Sequence, residues 1–421
     1  MKRFLTVFLV LLMLVPVFAG GSKEAEADDG TITLQIYWWG NQTRNNLTQE
    51  AIDLYMAQNP GIKIKAEFSD WTGYWDKLAA TAAGGNMPDI VQMDYAYLNQ
   101  YQENNLLADL TPFIESGVID TTNIPESIIA SGSVDGRCYA ISLGSNAPSM
   151  IYDKGVVEKA GVTIPDQMTY SEYLALANEI YEKTGVKTVF DASITSNQMH
   201  ARSYGADIFE ELKAGDDTHV ESFFEVVKEF NDAPSGILPE VLSEKDIYVV
   251  ETKPIVTLAT WNDYSFANMF IAVTNACGRE LGLTAYAVPD DATNQPMYLK
   301  PSMFFSVAQN SKHQEEAAKF IDWFTNSLEA NAILKAERGI PISTVVAEEV
   351  KKGVDETTAL FFDYVTKVSE YATPIDPPDP AGKGEIEAIG NNLVEELRYG
   401  DQTVQSATKD FVTRAKNILN N

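Results

Sequence analysis

Hydrophobic and polar positions switch between two periods over residues 32–94. Ile32 to Trp38 is an apolar run of strand character. Leu47, Ala51, Leu54 and Tyr55 then recur at helical spacing, and Asn59-Pro60-Gly61 stops that helix. In IKIKAEF, Ile62, Ile64, Ala66 and Phe68 alternate with Lys63, Lys65 and Glu67, which predicts a strand with one wet face. Trp75, Leu78, Ala79 and Ala82 predict a second helix ended by Gly84 and Gly85, and PDIVQMD predicts a third short strand. A βαβαβ order implies parallel strands joined by right-handed helical crossovers. The half-polar second strand belongs at an edge, so the expected strand order is 2-1-3.

In open α/β sheets, ligands bind beyond the carboxyl ends of strands, where the strand order reverses. The three strand ends on that rim read WWGN, SDWTGYW and MDYAY. A sugar ring lays an apolar C–H face on an aromatic ring and offers hydroxyls to paired donors and acceptors. Trp39, Asn41, Asp70, Trp71, Asp94 and Tyr95 are therefore candidate ligand contacts. Trp38 and Trp75 are expected in the core, the usual fate of an aromatic ring. Alternation puts Trp39 on the face opposite Trp38 or past the strand end, so Trp39 and Trp71 are the expected ring platforms. The competing role for Asp94 is the N-cap of a helix starting at Tyr95.

The head of the chain changes the compartment. MKR, an apolar run from Phe4 to Val15, then Val17 and Ala19 form the pattern of a cleaved secretory leader, residues 1–19. The run is short of the ~20 residues of a membrane span. With no cysteine beside the cleavage site, no lipid anchor is expected there, and residues 20–30 read as a polar, disordered tether to an exported, periplasmic protein. The remaining length predicts two domains. Loss of Lys2 and Arg3 with the leader takes the formal charge from −29 to −31. That balance disfavours nucleic acid and anionic membranes as partners, because phosphate binding depends on Lys and Arg; it serves solubility. Cys138 and Cys277 could pair in an exported compartment, although two buried free thiols is the favoured reading.

Catalytic signatures are scarce. The three histidines, His200, His219 and His313, repeat no metal spacing, and there is neither a G-x-S-x-G elbow nor a phosphate-binding loop. No catalytic residue, metal or cofactor is expected. Among 60 carboxylates a glycosidase pair could still be placed, so a secreted polysaccharide hydrolase or lyase is the rival from another class. Cleavage of oligosaccharides on incubation would distinguish it. A chemoreceptor co-ligand that binds sugar for signalling is a third reading, which neighbouring permease genes would separate from transport.

Several stretches carry a resemblance in family order: IDLYMAQNPGIKIKAEF, WDKLAATAAGGNMPDIVQMD, GRCYAISLGSNAPSMIYDKGVVEKAGV and AKFIDWFTNSLEANAILKAERGIPIS. Together they resemble the extracellular solute-binding proteins, family 1, the sugar- and oligosaccharide-binding subunits of ABC importers typified by maltodextrin-binding proteins. Ser142 stands where the family usually has proline, and Asp153 where it usually has asparagine. WWGNQTR is also similar to a subgroup linked to plant cell-wall oligosaccharides. The resemblance implies an α/β, two-lobed periplasmic binding protein fold (type II), each lobe a mostly parallel sheet flanked by helices, with the cleft at the hinge. One lobe would hold residues 31–141 and 300–342, the other 142–299 and 343–421. Val288–Pro296 and the proline-rich Thr373–Gly384 read as loops, the latter before final amphipathic helices.

The resemblance also implies hinge closure on a carbohydrate ligand, delivery to membrane permease subunits, and a monomer. In the second lobe, Trp261 and Asp263 of ATWNDYS repeat the ring-plus-polar chemistry, and Trp261 sits where the family usually carries a ligand-facing tryptophan. A core position is the alternative. Asn146 lies near the crossing between lobes, and Tyr298 and Arg338 are further candidates. Gly339 and Pro341 after Arg338 leave a helix-cap role open. Arg44 could fork a ligand carboxylate or merely pair with acids on its own helix.

Overall fold

The computed structural model describes residues 31–40, 42–242 and 250–420. The expected leader (1–19), the expected tether (20–30) and the candidate contact Asn41 lie outside the described residues. The first strand, Ile32–Trp39, has Ile62–Ser69 on one side and Ile90–Met93 on the other, both parallel to it, so the 2-1-3 order and parallel crossovers hold. Lys63, Lys65 and Glu67 are exposed at the edge, as their alternation with Ile64 requires. Phe68 breaks the pattern: it is exposed, and its ring leans on Trp38 at 5.4 Å. Two strands complete the sheet. Phe304–Val307 runs antiparallel beside Ile90–Met93, and Ile141–Ser142 runs antiparallel to it in turn.

The second sheet corrects one expectation. Its three strands, Leu281–Thr284, Pro148–Asp153 and Asn262–Phe266, are antiparallel throughout, not mostly parallel. Pro148–Asp153 is buried at five of its six positions, and a strand buried on both faces does not reveal its neighbours' direction.

Three segments run between the sheets and bond to one another. Leu143 N–H donates to Met303 O (2.8 Å), Ser302 N–H to Gly144 O (3.0 Å), and Ser145 N–H to Ile340 O (2.8 Å). Gly144 is required at this crossing, because a Cβ there would meet the Arg338 carbonyl at 2.3 Å.

One apolar core runs through both sheets; a second joins Ile208–Ala214 and Thr218–Asp232 to the final helices, Lys383–Tyr399 and Val404–Leu419. Those helices are amphipathic, as expected. The two loops expected from sequence are clamped together by one side chain. Arg202 donates to Pro296 O (2.9 Å), Thr373 Oγ1 (2.8 Å) and Pro374 O (2.9 Å), and pairs with Asp376. Cys138 and Cys277 are free thiols. Ser142 donates to Gly144 O (2.8 Å) and Asp153 caps the helix Lys154–Ala160 through Val156 N–H (3.0 Å), so both departures from the family pattern have local structural roles. Among the described residues, no helix is long and apolar enough to cross a membrane.

Candidate functional site

A cavity of about 1200 Å³ opens between the two sheets. Of the twelve residues proposed from sequence, Arg44, Asn146, Asp263 and Arg338 line it.

One wall comes from the first helix, Gln42–Gln58, and from the turn after the helix Leu328–Leu334. That helix ends with Lys335 and Ala336 in left-handed backbone (φ 51° and 54°), so Arg338 caps nothing and its side chain turns inward. It is 4% exposed, with its guanidinium 5.5 Å from the Phe324 ring centre. Nη2 donates to Thr48 Oγ1 (2.9 Å), and Nε and Nη2 reach Gln92 Oε1 at 3.4 Å. Gln92 Nε2 in turn donates to Trp39 O (3.0 Å). Arg44 pairs through Nε with both oxygens of Glu337 (3.1 and 2.9 Å), 293 residues away and not on its own helix. Burial, and then the neighbouring Arg44, lower the Arg338 guanidinium to about 9, while Glu337 acts to raise it.

The facing wall comes from the strand Asn262–Phe266 and from residues that sequence reasoning missed. Lys253 Nζ donates to Tyr264 O (2.7 Å) and lies 3.4 Å from Asp263 Oδ1, while Asp263 also accepts from Ile255 N–H (3.1 Å) and Tyr264 N–H (2.8 Å). Burial pushes the Asp263 carboxyl up, against Lys253 and these donors. Asp191 accepts from Ser193 Oγ (2.9 Å) and Ser196 Oγ (2.7 Å), and Arg398, held down to about 10 by burial, lines the same region. Phe190, Tyr264, Phe266 and Tyr286 add aromatic surface. Asn146 Oδ1 accepts from Ala147 N–H (2.9 Å) and Asn268 N–H (3.0 Å), which fixes its amide at the cavity edge. Tyr264 was visible beside Asp263 in WNDYS. Nothing local marks Lys253 or Arg398, which reach the cavity only through the tertiary fold.

The other candidates are placed elsewhere. Trp261 is fully buried, its Nε1–H donating to Thr188 Oγ1 (2.6 Å), so the ligand-facing expectation gives way to the core alternative. Trp39 is also buried, with Trp71 (4.9 Å), Tyr74 (5.1 Å) and Trp75 (5.6 Å) packed on its ring, and is not an open platform. Trp71 is the exposed member of that cluster, at 44%. Asp70 and Asp94 are helix N-caps, accepting from Gly73 N–H (2.8 Å) and Ala96 N–H (2.9 Å). Tyr95 donates its hydroxyl to Asp376 O (2.6 Å), and Tyr298 lies under Arg202, 5.0 Å from ring centre to guanidinium. None of these seven lines the cavity. Trp39, Asp70, Trp71, Asp94 and Tyr95 share a reason: a strand-end aromatic or acid is as useful to the adjoining helix as to a ligand.

Two α/β sheets crossed by bonded segments, with a polar and aromatic cavity between them, define the two-lobed fold of a binding protein. A family model of bacterial extracellular solute-binding proteins matches residues 50–361, and the chain belongs to that family. The solved structure of an extracellular solute-binding protein family 1 member from Alicyclobacillus acidocaldarius subsp. acidocaldarius DSM 446 is similar at TM-score 0.85 and 26% identity, over 93% of this chain and 99% of that one. A periplasmic oligogalacturonide binding protein from Yersinia enterocolitica shares the fold at TM-score 0.74 and 21% identity, over 92% of this chain and 99% of that one. The arabinooligosaccharide-binding protein of Bacillus subtilis (strain 168) is 27% identical over 252 residues, 56% of this chain; the match spans 58% of that relative's length.

Proposed function

We propose that this protein captures a carbohydrate in the cavity between its lobes and delivers it to the membrane permease of an ABC importer. The observation that carries the reading is the composition of the two cavity walls. Each combines hydrogen-bonding charged groups already ordered by neighbours with aromatic or aliphatic surface, the combination a sugar ring needs. Arg44, Glu337 and Arg338 face the cavity from one side, and Asp191, Lys253 and Asp263 from the other. Similarity to an arabinooligosaccharide-binding protein supports an oligosaccharide.

The lobes are residues 31–141 with 300–342, and 142–299 with 343–421; the bonded crossings near Gly144, Ser302 and Ile340 are the hinge. A ligand that touches both walls favours the closed form, because only there are all its contacts made. The chain acts as a monomer without turnover, after export and removal of residues 1–19. Thermal-shift and calorimetric titration against neutral and acidic oligosaccharides tests this. A ligand at a hundredfold excess over its Kd should stabilise the fold by about 2.7 kcal/mol. Absence of a shift across the panel, or release of shorter sugars on incubation, would overturn it.

A further inference from the structure

The strongest unexplained group in the cavity is the Arg338 guanidinium. Its Nη1 is buried without a hydrogen-bond partner, although Nε and Nη2 are engaged by Gln92 and Thr48. A buried, charged N–H left unmade is costly, and a buried cation ordinarily has a carboxylate at contact. Among the described residues, the carboxylate nearest Nη1 is Glu337, whose Oε2 lies 3.7 Å away. That oxygen is committed to Arg44 at 2.9 Å. Glu337 therefore serves Arg44 first and leaves Arg338 incompletely compensated. Other cavity ion pairs are better matched: Lys253 has both Asp263 and a carbonyl.

We infer that the site is built for a sugar bearing a carboxylate, with Arg338 as the residue that selects it. This rests on the carbohydrate reading above and names the ligand class within it. The ligand carboxylate would supply the acceptor that Nη1 lacks, while Glu337 turns wholly to Arg44. Arginine suits this role because its planar fork places two donors on one carboxylate and keeps its charge when buried. A hydroxyl of a neutral sugar could accept the same hydrogen bond but would leave the cation uncompensated, which is the difference the site would read. The chain's negative surface repels an acidic sugar at long range, but salt screens that beyond ~8–10 Å, so the local pair decides at contact.

The test is calorimetric titration with galacturonate and glucuronate trisaccharides, each beside its carboxyl-reduced neutral counterpart. An acidic form should bind at least tenfold more tightly than its neutral partner. Glu337→Gln, which removes the competing carboxylate and keeps the shape, should raise that ratio further. Arg338→Lys, which keeps the charge and loses the fork, should collapse it. Equal affinity for acidic and neutral forms, or a ratio unmoved by Glu337→Gln, overturns this inference and leaves sugar binding standing. No binding by any of the four sugars overturns the inference alone, because the proposed function stands or falls on the wider panel of neutral and acidic oligosaccharides.

Discussion

Replacing Trp261 separates a core role from a ligand role, and the structure sets the size of the effect. The side chain is fully buried, edge-on to Tyr173 at 6.0 Å, and its Nε1–H satisfies Thr188 Oγ1. An indole buries on the order of 200 Å², worth ~5 kcal/mol at 25 cal/mol/Å². Partial collapse of the void reduces the measured cost, so Trp261→Ala should destabilise by about 3–5 kcal/mol. The Trp261 backbone bonds, Asp153 N–H to Trp261 O and Trp261 N–H to Lys187 O, survive the change. Trp261→Phe refills most of the volume and loses chiefly the Thr188 hydrogen bond, so about 1–1.5 kcal/mol is expected. Urea denaturation followed by far-UV circular dichroism gives both values. Calorimetric titration on folded Trp261→Phe should return the parent affinity. A tenfold loss of affinity with unchanged stability would refute the core reading and restore Trp261 as a ligand contact.

Arg202→Met removes the clamp between the 288–296 and 373–384 loops and strands Asp376; about 3 kcal/mol should be lost in urea denaturation. Asp94→Ala should cost about 0.5–2 kcal/mol and Asp94→Asn little, with ligand affinity unchanged in both, since the carboxylate caps a helix. Burial, and then His219, hold His200 down to about 3, so its imidazole stays neutral in the fold. The unfolded chain takes up that proton below the ordinary histidine value of ~6.5, so stability is full above that pH and is lost as pH falls toward 3. By pH 5 the loss should reach about 2 kcal/mol, and His200→Gln should flatten this part of the stability profile; a profile identical to the parent's would refute the assignment.

Much of this architecture is local and therefore legible in the chain. The period-2 and period-3.6 patterns set the first three strands and the helices between them, and the polar alternation at Lys63, Lys65 and Glu67 marks the sheet edge. Asp94 as a cap was legible too, because capping involves residues two or three apart. What only the tertiary structure decided is long-range. Whether a second-lobe strand pairs parallel or antiparallel depends on neighbours more than a hundred residues away, as for Ile151 and Asp263. The same holds at the site. Arg44 meets Glu337 across 293 residues, and Arg338 is buried against Phe324 because a left-handed turn at Lys335 and Ala336 directs it inward. Trp39 and Trp261 carry the chemistry of a sugar platform in any sequence reading, yet an indole is equally good core. Burial is a property of the packed chain, set by which elements close over the ring, and not of the residue.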